Sequence, residues 1–175
     1  NETYQHLILE NAVKESKKLE AELEVTAKLQ RDILPSSFPD IKGISFAGIS
    51  IPSKKVGGDF YDVIQNSETQ YTALIADVSG KGIPAGLFMS ICRAFLRVSI
   101  KSNKSPADVM TNSNTSIYED SKSGMFVTSF LYKVNSKSKK ITYSNAGHFD
   151  QYLFKRKNKK IIDLDIRGKP LGVIE

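Results

Sequence analysis

The segment that most constrains this chain runs from Lys54 to Pro84. Two glycine–aspartate clusters, Val56-Gly57-Gly58-Asp59-Phe60-Tyr61-Asp62 and Ala76-Asp77-Val78-Ser79-Gly80-Lys81-Gly82-Ile83-Pro84, flank a polar stretch at Gln65–Gln70. Apolar and β-branched residues run up to that stretch from both sides, which predicts a β-hairpin. With the turn centred on Glu68, Asp59 and Asp77 lie opposite each other. Directly opposed residues share a face, with Cβ atoms roughly 4.5–5.5 Å apart. Two facing carboxylates repel, and a divalent cation between them reverses that sign. The adjoining glycines let a backbone come close to an ion or a phosphate. Aspartates that simply belong to turns are the plain alternative.

The rest of the chain can bury a core around such a hairpin, with 40% hydrophobic and 25% charged residues among 175. No run approaches about 18 apolar residues, so no membrane span and no membrane contact are expected. The chain begins at Asn1 without a signal peptide and is expected to be a piece of a longer one. The single cysteine, Cys92, excludes an internal disulfide, suits a reducing cytoplasm, and is expected to be buried and inert.

The net charge of +6 is uneven: residues 1–36 hold five Lys/Arg against seven Asp/Glu, and the remaining 139 hold twenty against twelve. The basic excess gathers in Lys133–Lys140 and in Lys155-Arg156-Lys157-Asn158-Lys159-Lys160. Solvated hairpin turns account for these runs, and an acidic or phosphorylated protein partner also fits. Nucleic acid is disfavoured because no aromatic residues interleave the basic ones.

Residues 2–34 predict one long helix, free of Gly and Pro until Pro35. A heptad can be laid on it, with Leu9, Ser16, Leu23 and Gln30 at one seam position and Ala12, Leu19, Thr26 and Ile33 at the other. That weak seam suits a dimeric signalling stalk, and a helix packed on its own domain is the other reading. Ile44–Ile51 alternates as a strand. Ile83–Ile100 predicts a buried helix with Pro84 in its first turn and a stripe of Leu87, Ile91, Ala94, Phe95 and Val98. Ser105 caps a further helix to about Asp120, with Val109, Met110 and Ile117 inward. Strands are expected at 125–134, 140–147, 150–156 and 160–165.

Gly80-Lys81-Gly82 lacks the spacing of a Walker phosphate loop. It does precede a helix N-terminus, whose dipole favours anions. Asn145-Ala146-Gly147-His148 closes a predicted strand, and His148 is open to roles as base, ligand, supporting donor or packing residue.

In order and spacing, these two aspartate motifs, Phe126-Val127-Thr128 and Asn145-Ala146-Gly147-His148 resemble the bacterial SpoIIE/RsbU branch of the metal-dependent (PPM-type) serine/threonine protein phosphatases. Gln30-Arg31-Asp32-Ile33-Leu34-Pro35 resembles the helix end that precedes that domain, and the likeness covers roughly residues 26–175. The resemblance implies an α/β (α+β) fold, a four-layer α-β-β-α sandwich of largely antiparallel sheets behind the long N-terminal helix. Residues 1–35 are then a stalk and linker, and 36–175 a phosphatase domain lacking its C-terminal part.

It further implies two Mn²⁺ or Mg²⁺ ions, with Asp77 bridging both, Asp59 holding one, and the Val78 backbone carbonyl adding a ligand. Lys54, Gly58, Asn145 and His148 fall at positions expected to bind phosphate or substrate. The implied reaction is hydrolysis of phosphoserine or phosphothreonine on a partner such as an anti-sigma-factor antagonist. An upstream sensor domain and a homodimer through the N-terminal helix go with it. Two further metal aspartates are expected beyond Pro170-Leu171-Gly172, where this chain stops. Phe149-Asp150 stands where relatives often carry prolines. A phosphatase-like module that sequesters a phosphoprotein without turnover is the alternative function.

Overall fold

The computed structural model describes residues 2–102, 105–121 and 124–174; the expectation tied to the chain end at Glu175 lies outside them. Three helices, α1 (Glu2–Ile33), α2 (Ile83–Ser102) and α3 (Pro106–Asp120), accompany six strands. These are β1 (Phe60–Gln65), β2 (Gln70–Val78), β3 (Val127–Asn135), β4 (Ile141–Ala146), β5 (Tyr152–Lys155) and β6 (Lys160–Asp163). The first four form an antiparallel sheet in the order β1-β2-β3-β4, and β5-β6 is a separate two-stranded ribbon. The α/β architecture is the expected one. Of the four layers anticipated, the described residues build one helix layer and one full sheet.

Strand alternation divides the β1–β2 hairpin between two environments. Phe60, Ile64, Leu74, Ala76 and Val78 point to the helices and join Met89, Cys92, Leu96, Val109, Ile117 and Leu131 in the main core. Tyr61, Ile75, Phe130 and Tyr132 line the opposite face, where Phe38 stacks at 5.8 Å from Tyr61. Ser105 caps α3 by accepting from the Asp108 N–H at 3.1 Å, as its sequence predicts.

Two expectations need correction. Ile44–Ile51 is not a strand: apart from one bridge between Ile41 and Ile44 it is unpaired, with Ile49 and Ile51 78% and 77% exposed. Alternation marks a segment able to pair, but a strand exists only where a neighbour supplies the hydrogen bonds. The buried stripe of α2 is also rotated. Ala85, Gly86, Phe88, Met89, Cys92, Leu96, Ser99 and Ile100 are buried, whereas Leu87 and Val98 are about two-thirds exposed.

An ion cluster accompanies that rotation. Asp62 on β1 is 1% exposed on the helix side of the sheet. Its Oδ2 receives Arg97 at 2.6 Å and Arg93 at 2.9 Å, while its Oδ1 accepts from the Val63 N–H at 2.9 Å. With the two arginines of α2 held over β1, Phe88, Met89, Cys92, Leu96 and Ile100 face the core, and Leu87 and Val98 face outward. By length and mean hydropathy of 1.5, α2 could also cross a membrane. Here it packs on the sheet with 44% of it buried and its two arginines paired to Asp62. Cys92 is fully buried, and burial pushes its thiol up to about 12.

Removing one member of a buried ion cluster strands the others without compensation. Asp62→Ala is therefore expected to cost about 3 kcal/mol in urea unfolding, and Asp62→Leu with Arg93→Met and Arg97→Met to recover most of that loss. A loss below about 1 kcal/mol for Asp62→Ala would show that the cluster does not anchor α2.

Candidate active site

The turn of the β1–β2 hairpin sets the site. Phe60 pairs with Ala76, Tyr61 with Ile75 and so on to Gln65 with Tyr71, so the register is centred on Glu68 as predicted. One step beyond the Phe60–Ala76 pair, at the open end of the hairpin, the same register brings Asp59 opposite Asp77. Both face away from α2 and α3. They line a cleft of about 280 Å³ with Ser50, Ile51, Ile75, His148 and Phe149.

The electrostatics of this pair are unfavourable without a cation. The Asp77 carboxyl is pushed up to about 6, first by burial and then by the adjacent Asp59 carboxylate. Asp77 is tied to the sheet through its backbone, whose carbonyl accepts from the Thr128 hydroxyl at 3.4 Å. Thr128 also meets His148 Nδ1 at 2.8 Å, which fixes the ring at the cleft wall. Burial lowers the His148 pKa, and the charge of Asp59 partly offsets this.

Gly58 needs its missing side chain. A Cβ there would lie 2.7 Å from the Val78 carbonyl oxygen and 3.0 Å from the Val78 Cβ. The loop before Asp59 thus rests directly on the backbone oxygen that follows Asp77. On the far side, Gly80 and Gly82 adopt φ of 95° and 77°, which L side chains rarely adopt, and the Gly82 carbonyl receives the Gly86 N–H at 3.0 Å to open α2. Ser79 ties this loop to β3 by donating its N–H to the Phe126 carbonyl and accepting the Phe126 N–H on its hydroxyl.

The structure therefore brings together Asp59, Asp77, Val78, Gly58 and His148. It does not bring in Lys54, which lines a separate groove with Ser16, Leu19, Leu23, Gly82 and Ile83. Its neighbour Lys55 is bonded to Glu20 and Glu24 at 3.0 Å each, and this draws the segment toward α1. Asn145 is also not a cleft residue. It is 5% exposed, and its amide is spent on the backbone of His148, accepting at 2.7 Å and donating at 3.2 Å. Asn145 shapes the turn that presents His148.

Gln30, placed by the sequence at a helix seam and at the start of the Gln30–Pro35 stretch, bonds both peptide groups of Gly57 through its carboxamide, at 2.6 and 3.0 Å. Nothing in the local pattern distinguishes it from a solvated helix glutamine.

The donor set fits a divalent metal. It offers two carboxylates and a backbone carbonyl, all hard oxygens of the kind Mg²⁺ and Mn²⁺ prefer. Among the described residues no group of three or more His, Cys, Asp or Glu converges, so this pair is a partial ligand set. A carboxyl with a folded pKa above its ordinary 3.8 binds extra protons on folding, so its contribution to stability falls as pH rises from about 4 to about 6. In chelator, Asp77→Asn is thus expected to raise the melting midpoint near neutral pH and leave it nearly unchanged below about pH 3.5. A midpoint lowered at neutral pH would contradict the like-charge reading.

Comparison with known proteins agrees with this geometry. The Stage II sporulation protein E (SpoIIE) family matches residues 67–175. Phosphoserine phosphatase RsbU of Bacillus subtilis (strain 168) is 31% identical over 155 residues, 89% of this chain and 46% of RsbU. Protein IcfG of Synechocystis sp. is 36% identical over 77 residues, 44% of this chain and 12% of IcfG. The chain thus spans less than half the length of these relatives. The SiaA-PP2C domain of Pseudomonas aeruginosa superposes with a TM-score of 0.74 at 20% identity, over 91% of this chain and 65% of that domain. The RsbU and RsbW domains of Rv1364c from Mycobacterium tuberculosis give 0.60 at 20% identity, over 71% and 34% of the two chains. At that identity the likeness establishes the fold. With the family matched across most of its length, the chain belongs to the SpoIIE family, in the SpoIIE/RsbU branch of the metal-dependent PPM-type phosphatases.

Proposed function

We propose that the chain is part of a protein serine/threonine phosphatase of bacterial signalling, acting on phosphoserine or phosphothreonine of a partner protein in the cytoplasm. The observation that carries this reading is the opposition of Asp59 and Asp77 across the hairpin, beside the Val78 carbonyl. Asp77 would hold both of two Mn²⁺ or Mg²⁺ ions, Asp59 one, and Val78 would contribute its backbone oxygen. Bound there, such ions activate a water for attack and offset charge on the phosphoryl oxygens.

The protein's own residues shape the place where this happens. Gly58 lets the Asp59 loop lie against the Val78 carbonyl. Thr128 holds His148 at the cleft wall, where its imidazole faces Asp59 and can meet a phosphate oxygen or its proton. Phe149, 81% exposed at the rim, offers an apolar contact to the residues flanking a phosphoserine. An anti-sigma-factor antagonist is the class of substrate that the SpoIIE/RsbU likeness favours. Turnover is favoured over mere sequestration because both carboxylates are present and opposed.

An outer partner of a metal ligand typically contributes 10–100-fold to metal affinity or activity, and a direct ligand contributes no less. Asp77→Ala in the full-length protein is therefore expected to lower Mn²⁺-dependent hydrolysis of a phosphoserine peptide by at least about 100-fold, with circular dichroism unchanged. Retained turnover in a folded variant would remove Asp77 from the site.

Homodimerisation through α1 and control by an upstream sensor domain belong to the same proposal. Leu9 and Leu19 are 61% and 57% exposed on α1, whereas Leu23 is half-buried against the domain. Leu9→Glu with Leu19→Glu is expected to convert a dimer to a monomer in sedimentation velocity. A wild type that is monomeric at high micromolar concentration would leave α1 as a packing helix.

A further inference from the structure

His148 enters the cleft on a turn that is held from several sides. Asn145, 5% exposed, accepts the His148 N–H on its Oδ1 at 2.7 Å and donates its Nδ2 hydrogen to the His148 carbonyl at 3.2 Å. Gly147 between them has a φ of 70° and lies against Pro170, whose Cδ would be 2.8 Å from a Cβ there. The Asn145 carbonyl in turn accepts from the Gly168 N–H at 2.7 Å. With the backbone so fixed, only the side-chain torsions of His148 are left to set, and Thr128 engages one ring nitrogen.

The hydrogen count at Thr128 decides which nitrogen carries the ring proton. A threonine hydroxyl has one hydrogen and two lone pairs, and a carbonyl only accepts. Thr128 Oγ1 donates to the Asp77 carbonyl at 3.4 Å, so its hydrogen points there. Toward His148 Nδ1, 2.8 Å away, the hydroxyl oxygen can then only accept, and Nδ1 carries the hydrogen. A hydrogen bond to the Thr128 backbone likewise favours a proton on the ring. In a neutral imidazole the other nitrogen is then a bare acceptor. None of the described residues forms a hydrogen bond with Nε2, and the ring lines the cleft beside Asp59 and Asp77.

We infer that Thr128 is a positioning residue that holds His148 in the Nδ1–H tautomer, leaving Nε2 as the proton acceptor of the cleft. This rests on the reading of the cleft as a phosphatase site. A phosphoserine group, with its second pKa at about 6, is largely dianionic at neutral pH and has no proton to offer Nε2. The attacking water has one. As the water oxygen bonds to phosphorus and the bond from phosphorus to the serine Oγ breaks, Nε2 takes a water proton. It returns that proton to the departing Oγ, so the products are serine and inorganic phosphate.

The test is nitrogen NMR of the metal-free full-length protein carrying isotope-labelled histidine. At pH about 8, above the ordinary imidazole value of about 6.5, wild-type His148 is expected to show a protonated Nδ1 and an unprotonated Nε2. Thr128→Val keeps the branched shape and removes the hydroxyl, and its ring is expected to show both tautomers. Its kcat on a phosphoserine peptide in Mn²⁺ is expected to fall about tenfold, the equivalent of one net hydrogen bond, with KM and Mn²⁺ affinity within about twofold of wild type. Thr128→Ser restores the hydroxyl and is expected to restore the tautomer and kcat together. His148→Gln cannot accept a proton and is expected to lose at least about 100-fold in kcat.

A wild type with the proton on Nε2 overturns the inference, and that measurement needs neither metal nor turnover. So does a folded Thr128→Val with the wild-type tautomer and kcat, or a folded His148→Gln with wild-type kcat. A loss of Mn²⁺ affinity in Thr128→Val as large as its loss of kcat also overturns it, because the effect would then run through the Asp77 carbonyl. A wild type that shows the expected tautomer yet hydrolyses no phosphoserine in Mn²⁺ instead overturns the phosphatase reading and leaves Thr128 as the residue that sets the ring.

Discussion

Two carboxylates facing each other across the end of a hairpin are the costly feature to which the surrounding structure is fitted. Burial and mutual repulsion disfavour ionising both, and the Asp77 carboxyl is raised accordingly. The arrangement persists because register imposes it. Six consecutive pairs from Phe60↔Ala76 to Gln65↔Tyr71 leave the chain no freedom to move Asp59 away along the strand, since a one-residue slip would turn the whole apolar set of β1 outward. A carboxyl pair kept against the local electrostatics is typical of a functional site.

The hairpin can carry that cost because its other face is firmly held. Three residues past Asp59, Asp62 points the opposite way and takes two arginines of α2. One short motif thus supplies an aspartate to the cleft and an aspartate to the core. The second fixes the helix whose N-terminus opens just past the Gly80–Gly82 loop. In the same way, Gly58 and Gly86 are glycines of contact. Each permits backbone or side chain to lie where a methyl group would collide.

The chain belongs to the SpoIIE family, and among its described residues the carboxylate pair is a partial ligand set. The chain spans less than half of its curated relatives, and its described residues build one sheet and one helix layer of the sandwich. Among the described residues, the face of the sheet that carries Asp59, Asp77, Tyr61 and Ile75 is lined by Phe38 and Phe46–Ile51, with His148, Phe149 and Gln151 at its edge. The cleft is accordingly open, and Ile49, Ile51 and Phe149 stand at its rim largely in solvent.

Periodicity and turn chemistry are local properties, and whatever rests on them could be read from the residues in order. The hairpin centred on Glu68, the Ser105 cap, the limits of α2 and α3, and the opposition of Asp59 and Asp77 are of this kind. So is the family likeness, which lies in short contiguous motifs. Features that require two distant segments to meet had no local signature. Gln30 bonds a glycine 27 positions away, Arg93 and Arg97 converge on an aspartate from another element, and Asn145 turns inward to its own loop. Lys54 followed Lys55 toward α1, because the ion pairs of one lysine decide where its neighbour can go. Ile44–Ile51 has the alternation of a strand without the partner that would make it one. Hydrogen bonds and ion pairs saturate, so which donor meets which acceptor is settled only when the whole chain has packed.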